Sequence, residues 1–329
     1  MRHPPQNLPS VGVLGVGAVT ALGRDVPEIG RLLAEPPSSA PGPRRVHDAS
    51  LVYPPWNSRL RRADRFVRMA AIAALDAWTD AQRAAGDVPA EHIGLILASG
   101  FGSNVRAFRF LDGILDFGDA AALPTDFSHS LHGTATAYIA ELLALRGPSL
   151  TITDFESGVA QALLQAQCWL AQGRCQRVLV GAVEELGEVL LHYAAKLQGD
   201  SRFLPGEGAV FFMLDSGDVP GRARLNVLPP TPHVDLLLLD DPPLRAAPAN
   251  LPPSAHHTAT CSPYFGQSAG SAAFQLLGGL LSLQAGRPLG RILTTADAQA
   301  PAGAIDSAAA FVPSSMPDAR LVLLSHGGT

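Results

Sequence analysis

Residues 150–170 contain the strand, sharp turn and helix start whose side chains are best placed to do chemistry. Several acyl-transfer folds present a nucleophile at such a strand-to-helix elbow. The backbone N–H groups and the positive end of the following helix stabilise an anion or a thiolate there. A nucleophilic cysteine would be expected at the apex, but the sequence has Phe155. Because phenylalanine has neither a lone pair for attack nor a proton to give, the segment predicts an elbow without a nucleophile.

Two carboxylates, those of Asp154 and Glu156, flank this position. If the elbow is shifted by one residue, Glu156 occupies the apex and can act as a general base. The alternative is that these carboxylates cap the exposed backbone N–H groups at the start of the helix, which is the commoner role. We favour the capping role and keep the base as the alternative.

Histidines provide the next candidates for chemistry. His132 precedes a helix and is followed by residues at packing positions, so a capping or interface role is favoured over catalysis. His256 and His257 lie near Cys261, but one adjacent pair without acidic partners is a weak metal signal. The three cysteines also lack CxxC spacing, so no metal site is predicted.

A glycine pair after the first strand suggests a nucleotide site. Gly15 and Gly17 match the first two glycines of a GxGxxG motif, but Thr20 occupies the third position. No acidic residue at a later strand end completes the motif. The sequence therefore predicts no nucleotide and no other cofactor.

Alternating strands and helices predict a layered α/β fold with a boundary near Asp218, which separates residues 1–217 from residues 218–329. Asp25 opens a short helix, and residues 36–60 form an irregular loop. The helix at 63–78 is amphipathic and presents one apolar face. The predicted strands are 11–14, 93–98, 150–153, 177–181, 206–214, 234–239 and 321–324, and the other helices are 135–145 (after a turn from 124), 159–171 and 266–285.

Composition and charge limit the classes of molecule that the chain is expected to bind. With 329 residues and 47% hydrophobic content the chain can bury a sizeable core. A net charge of −5 gives no footprint for nucleic acid or anionic lipid. The few cysteines fit a reducing cytoplasm, and no run of about 18 apolar residues predicts a membrane span. A local basic cluster is read as a solvated helix face, with a phosphate site or docking of an acidic carrier protein as alternatives: Arg59, Arg61, Arg62, Arg65 and Arg68.

Seven segments, taken together and in order, resemble the β-ketoacyl synthases of the thiolase superfamily. They cover most of the chain: residues 13–23, 64–66, 145–148, 181–184, 206–209, 266–272 and 327–329. The resemblance implies a thiolase-like α/β fold of two related layered halves. The region before Val234 is short for this family, so the C-terminal half is expected to be shortened by a helix.

The resemblance also implies where catalytic groups would stand. The family uses a cysteine that carries the acyl chain and two histidines that assist decarboxylation and condensation, with a lysine nearby. Residue by residue, the cysteine corresponds to Phe155, the first histidine to Asp240, the second to Gln267 and the lysine to Ser262. The phenylalanine of the closing glycine loop corresponds to His326. None of these four positions carries the family's catalytic residue, which argues against condensation.

The family contains a non-catalytic class, the chain-length factors, which pair with an active ketosynthase and shape its tunnel. The resemblance implies this role here, with an acyl carrier protein reached through the complex. Residues 124–132 further resemble ketosynthase-like proteins of aryl polyene clusters. The alternatives are altered chemistry on the same fold (malonyl-carrier decarboxylation or acyl transfer) and a self-associating scaffold. The residues expected at the interface or tunnel, with core packing as the alternative, are Phe108, Phe110, Leu111, Ile114, Phe117, Phe127, His129, His132 and His326.

Overall fold

A computed structural model of the chain describes residues 8–155, 157–198, 204–217, 223–228, 234–240, 255–295, 305–312 and 320–326. Its strands are β1 (Val11–Val19), β2 (Ile93–Ser99), β3 (Ser149–Thr153), β4 (Arg177–Glu184), β5 (Gly208–Asp215), β6 (Ala223–Leu228), β7 (Val234–Leu238), β8 (Ala255–Thr260), β9 (Arg291–Thr295), β10 (Ser307–Val312) and β11 (Arg320–His326). They form one sheet in the order β3-β2-β4-β5-β1-β6-β11-β10-β7-β8-β9.

Helices connect most of these strands. They are α1 (Val26–Leu33), α2 (Asn57–Leu60), α3 (Arg65–Ala84), α4 (Asn104–Phe117), α5 (Pro124–Ser130), α6 (Thr134–Leu142), α7 (Gly158–Ala171), α8 (Glu188–Gln198), α9 (Ser262–Phe265) and α10 (Ser271–Ala285). Short 3-10 turns lie at Asp48–Leu51, Pro54–Trp56, Ala90–His92 and Asp119–Ala121.

The sheet contains the same arrangement twice. In the first half, β2 is parallel to β3 and β4, while β5 is antiparallel to β4 and β1. In the second half, β7 is parallel to β8 and β10, while β11 is antiparallel to β10 and β6. The short pairing of β1 with β6 joins the halves, and β9 extends the second half beyond β8. The prediction of two related α/β halves is therefore confirmed.

Two layers of helices bury the sheet. The apolar helices α7 and α10 pack on each other and on strands of both halves, and they form the larger core. On the opposite face of the first half, α3 and α6 pack over β1, β2 and β5. The predicted apolar face of α3 is fully buried, which confirms the amphipathic pattern: Phe66, Met69, Ala70, Ala73 and Ala77.

The second half is the shorter one, as predicted. In the first half, the 20-residue helix α3 lies between β1 and β2. Only residues 229–233 separate β6 from β7. A segment of that length cannot form a helix comparable with α3. The predicted boundary at residues 217 and 218 falls at the edge of a segment outside the described residues.

Gly15 and Gly17 are required by packing. A Cβ on Gly15 would overlap backbone atoms of Ala77 and Ala81, and one on Gly17 would overlap backbone atoms of Ala73 and Ala77. Helix α3 therefore lies directly on the backbone of β1. This close approach accounts for the glycine pair that resembles part of a nucleotide motif.

Three predicted boundaries are wrong. Pro124 begins helix α5, where a turn was predicted, because proline also suits the first helical position. The helix predicted from Gly266 begins only at Ser271. Gly266 has φ +78°, and a Cβ there would lie 2.5 Å from the Cα of Gly206, so this residue forms a turn against a neighbouring segment. Strand β1 continues to Val19, well beyond the predicted end.

None of the described helices is both long enough and apolar enough to cross a lipid bilayer.

Candidate functional site

The predicted elbow joins β3 to α7. Strand β3 lies at the end of the sheet and pairs with β2. Asp154 follows it, and its Oδ1 accepts a hydrogen bond from the backbone N–H of Ser157 at 2.8 Å. Its Oδ2 accepts one from the side chain of Gln161 at 3.1 Å. Asp154 thus caps α7, in line with the favoured interpretation, whereas Glu156 lies outside the described residues.

Phe155 stands at the apex of this elbow and is 57% exposed. Its ring packs at a tilt on Phe101, with 4.8 Å between ring centroids. A Cβ on Gly100 would lie 2.9 Å from the Phe155 ring and would overlap Ala269, so these residues are in close contact. More than half of the Phe155 side chain is therefore open to solvent in this chain.

Two of the other positions implied by the resemblance are in direct contact. Asp240 Oδ1 accepts hydrogen bonds from Ser262 Oγ and from Gln275 Nε2, each at 2.9 Å. Burial raises the pKa of the Asp240 carboxyl, and these neutral donors oppose the rise. The cluster therefore forms a closed network of hydrogen bonds that lacks the imidazole and ammonium groups of the family's chemistry.

The backbone of Gln267 holds a neighbouring segment in place. Its backbone N–H donates to the Leu204 carbonyl at 2.7 Å, and its own carbonyl accepts from the Gly206 N–H at 3.0 Å. These two bonds fix residues 204–206 beside the start of the last helix. Two residues later, Ala269 contacts Gly100 next to Phe155, so the elbow and the entry to α10 meet.

Two adjacent buried carboxylates near the elbow were not predicted as site residues. Glu184 accepts hydrogen bonds from the backbone N–H groups of Gly100 and Phe101, the second at 3.3 Å. Burial raises its pKa to about 7 against the effect of these bonds. Burial, followed by repulsion from Glu207 and Asp64, raises the pKa of Glu185 to about 7 as well.

These two carboxyl groups predict an unusual dependence of stability on pH. Their pKa values of about 7 in the folded chain lie above the usual value of 4.5. The folded state therefore binds more protons than the unfolded state between those limits, and the free energy of unfolding falls as pH rises from 4.5 to 7. Each group contributes on the order of 1–3 kcal/mol to this fall.

Urea denaturation from pH 5 to pH 8, with choline chloride as the only salt, measures this effect. Glu185→Gln removes one of the two groups, so the variant should equal the wild type near pH 5 and exceed it in stability at pH 8. An unchanged slope in the variant would show that Glu185 titrates normally.

Helices α4 and α5 present an apolar outer surface. Phe117 is 78% exposed and Phe127 is 52% exposed, while the ring of Phe110 packs on Phe127 with 5.6 Å between centroids. Phe108 and Ile114 are partly buried. Large exposed apolar patches mark interaction sites on soluble chains. We call this surface the α4–α5 face; its exposed members, several of them not singled out by the sequence, lie on α4, on α5 or next to α5 and are Leu111, Leu115, Phe117, Leu123, Phe127 and Leu131.

Charged contacts hold the inner side of the same helices. Arg106 bridges Asp64 at 2.5 Å and Asp126 at 2.8 Å. His129 lies 3.1 Å from Asp64 and packs edge-on against Tyr138. The imidazole of His129 therefore anchors α5 to the start of α3. Its predicted place at an interface or tunnel stays a prediction.

Of the two remaining predicted histidines, only His132 has a described side chain. His132 Nδ1 lies 3.2 Å from Thr153 Oγ1, so the turn between α5 and α6 contacts the end of β3 beside the elbow. His326 ends β11, and its side chain lies outside the described residues. None of the large apolar residues of α4 and α5 is fully buried in this chain.

The residues of the weak metal signal lie in β8 and directly after it. Cys261 is fully buried, and burial raises the pKa of its thiol to about 12. The described part of the chain contains no group of three or more histidine, cysteine or acidic side chains that could hold a metal. His256 and His257 lie in strand β8.

Comparison with known proteins agrees with this architecture. Residues 56–216 match the family described as beta-ketoacyl synthase, N-terminal domain. No curated protein sequence gives a significant match.

Solved structures share the fold over almost the whole chain. One match is a chain of the complex described as a type II PKS acyl-carrier protein with its ketosynthase (AntDE:AntF), with a TM-score of 0.75 at 14% identity. The alignment covers 98% of this chain and 100% of the matched chain. The ishigamide ketosynthase/chain length factor has a TM-score of 0.74 at 14% identity, with coverage of 98% and 100%. A beta-ketoacyl synthase from Burkholderia phymatum STM815 has a TM-score of 0.70 at 14% identity, with coverage of 97% and 100%.

At these identities the structural matches establish the fold, and the family match covers most of its first half. Residues 56–216 are thus similar to the N-terminal domain of the beta-ketoacyl synthases, and the chain as a whole has the fold of the solved ketosynthases.

Proposed function

We propose that the chain is a non-catalytic, ketosynthase-like subunit that pairs with an active ketosynthase in the cytoplasm and shapes its tunnel, as a chain-length factor does. The observation that carries the proposal is Phe155 at the elbow between β3 and α7, where the fold would present its nucleophile. A phenyl ring cannot form the thioester on which condensation depends.

The surrounding groups support the absence of condensing chemistry. Asp240 is hydrogen-bonded to Ser262 and Gln275, and Glu184 is held by two backbone N–H groups. Neither carboxylate replaces an imidazole pair beside an acyl thioester. Catalytic groups that act as a unit are not rescued singly, so the loss of the whole set favours a subunit without condensing activity.

Two surfaces support pairing with another subunit. The α4–α5 face exposes large apolar side chains on helices held rigidly from beneath by Arg106. Beside it, β3 is the end strand of the sheet, and open strand edges and large apolar patches both favour protein contacts. The ishigamide relative is a ketosynthase/chain length factor. We therefore assign the α4–α5 face and the β3 edge to the contact with the ketosynthase.

The same subunit would help to receive an acyl carrier protein. Within the basic cluster, Arg65 and Arg68 make internal bonds, to Glu207 and to the Ala63 carbonyl. Arg61 and Arg62 are exposed and could contact an acidic carrier. A structural relative is a complex of an acyl-carrier protein with its ketosynthase. The resemblance of residues 124–132 to aryl polyene proteins supports a place in such a system.

Assays of the purified chain test the proposal against altered chemistry. With malonyl- and acyl-carrier substrates, the chain alone should give neither decarboxylation nor acyl transfer nor condensation. Turnover by the chain alone would favour an enzyme with different chemistry. The observation that points to that second candidate is Glu184, a buried carboxyl near the elbow with a pKa of about 7.

Restoring the nucleophile alone should not restore condensation. We expect Phe155→Cys to remain at least ~10³-fold below an active ketosynthase, because Asp240, Gln267 and Ser262 leave the other roles unfilled. Carbon–carbon bond formation is measured with acyl- and malonyl-carrier proteins, and Phe155→Ser serves as the control without a thiol. Product formed by Phe155→Cys and not by Phe155→Ser would show that the histidine positions are misassigned.

A further inference from the structure

A cavity of about 660 Å³ lies between the first turns of α3 and α4 and the chain after β4. It lies along α4, and Phe155 is not among its lining residues. Its apolar walls are formed by Val105, Phe108, Leu186 and Val189, and its charged lining includes Arg45, Arg65, Arg106, Arg109, Asp112 and Glu188. Asp64, Asn104 and Glu185 complete its polar lining.

Two buried oxygen atoms in this lining have no hydrogen-bond partner among the described residues. They are Oδ1 of Asn104, which is 4% exposed, and Oε2 of Glu185, which is 5% exposed. The neighbouring Ser103 Oγ is also buried without a partner in the described chain. Buried polar atoms are nearly always paired, because desolvation without a partner costs about 1–3 kcal/mol each.

The orientation of both groups is fixed by other contacts. Asn104 Nδ2 donates to the carbonyl of Glu185 at 2.8 Å and to that of Gly102 at 3.4 Å. A flipped amide would turn its oxygen toward those two carbonyls, so Oδ1 must be the unpartnered atom. The backbone N–H of Val105 hydrogen-bonds to the Glu185 carboxylate. With Glu185 ionised, both unpartnered atoms are acceptors, so a ligand that binds them would supply donors or positive charge.

The described ion pairs of the arginines around the cavity are with carboxylates other than Glu185. Arg65 contacts Glu207 at 2.6 Å and Asp48 at 2.7 Å. Arg106 contacts Asp64 and Asp126. Glu207 and Asp64 repel the Glu185 carboxylate, and Arg65 attracts it. Among the ion pairs of the described residues, none neutralises this carboxylate.

We propose that this cavity binds a small monovalent cation through Glu185 Oε2 and Asn104 Oδ1, with water completing the coordination. Carboxylate and amide oxygens suit hard cations. A single carboxylate balances one positive charge, whereas divalent sites are usually built with more acidic ligands. A bound ion would join the first turn of α4 to the chain after β4, and so would stiffen the base of the α4–α5 face. The site does not depend on the proposed function.

Thermal unfolding at pH 8, where Glu185 is ionised, in two salts of equal ionic strength tests the site. We expect the Tm in potassium chloride to exceed that in choline chloride by ~2 °C or more and to saturate with potassium concentration, because the ion binds only the folded state. Glu185→Gln should abolish the potassium-specific rise. Glu188→Gln, which removes the same charge from an exposed position on the rim of the same cavity, should retain it.

A direct measurement decides the case even if Glu185→Gln does not fold. Crystals of the wild-type chain soaked in rubidium chloride should show an anomalous peak in the cavity between Glu185 and Asn104. Equal Tm values in the two salts, or rubidium absent from that position, would overturn the proposal. A potassium-specific rise that persists in Glu185→Gln would also overturn it.

Discussion

Gly17→Ala should prevent the chain from folding, because strand β1 and helix α3 touch through their backbones at this residue. A Cβ on Gly17 would overlap the Ala73 carbonyl oxygen and the Ala77 backbone nitrogen. These atoms belong to the helix backbone and cannot turn away as a side chain would. Strain of several kcal/mol is comparable with the whole net stability of a domain, about 5–15 kcal/mol. Soluble yield and urea denaturation of the variant measure the effect.

Gly113→Ala is the matched control for this substitution. A Cβ on Gly113 meets no atom within 4 Å, and the residue lies inside helix α4. Alanine there should stabilise the chain by about 0.5–1 kcal/mol, since glycine is unfavourable in a helix interior. If Gly17→Ala instead unfolds at the same urea concentration as the wild type, β1 and α3 are not packed as described.

Phe127→Glu should abolish assembly with the ketosynthase while leaving the fold of the chain intact. The ring of Phe127 is 52% exposed and packs on Phe110 within the α4–α5 face. A carboxylate placed at the centre of an apolar interface would have to be buried without a partner. We expect the Kd for the partner to rise by on the order of 100-fold or more. Biolayer interferometry against the immobilised ketosynthase measures this change.

Ile292→Glu is the control for that measurement. Ile292 is 43% exposed and lies in β9, at the opposite end of the sheet from β3. The variant should bind the partner like the wild type. Equal binding by Phe127→Glu and Ile292→Glu would exclude the α4–α5 face from the interface.

Patterns with a local cause were predictable from sequence. The face of α3 follows the helical period of its apolar residues, and all five predicted members are buried. Asp25 caps α1 by accepting from the Glu28 N–H at 2.9 Å, as its position before the helix indicates. Strands β2, β3 and β4 were found because each is a short apolar run between turn residues.

Elements whose sequence lacks a regular pattern were missed. Helix α4 was not predicted, because its apolar residues face outward and the core fixes only Asn104 in its first turn. Strand β8 carries His256 and His257 and has no apolar alternation. Strand β10 is a run of alanines that gains its position only between β11 and β7. In each case the contacts that define the element are distant in sequence.

The site was predictable only in part. The elbow and Asp154 cap follow from local sequence, but the contact of Asp240 with Ser262 and Gln275 requires the folded sheet. A polar Gln275 inside the apolar helix α10 is a usable signal, since such a residue needs a buried partner. Arg106 and the burial of Glu185 had no comparable signal, because charged residues on helices and loops are usually exposed.

Native mass spectrometry of the chain co-expressed with a ketosynthase of the same organism tests the central claim most directly. The account predicts a one-to-one heterodimer, because it assigns the α4–α5 face and the β3 edge to the contact with a ketosynthase that carries the nucleophile. A chain that remains a monomer, or that forms only homodimers in the presence of that ketosynthase, would contradict the account.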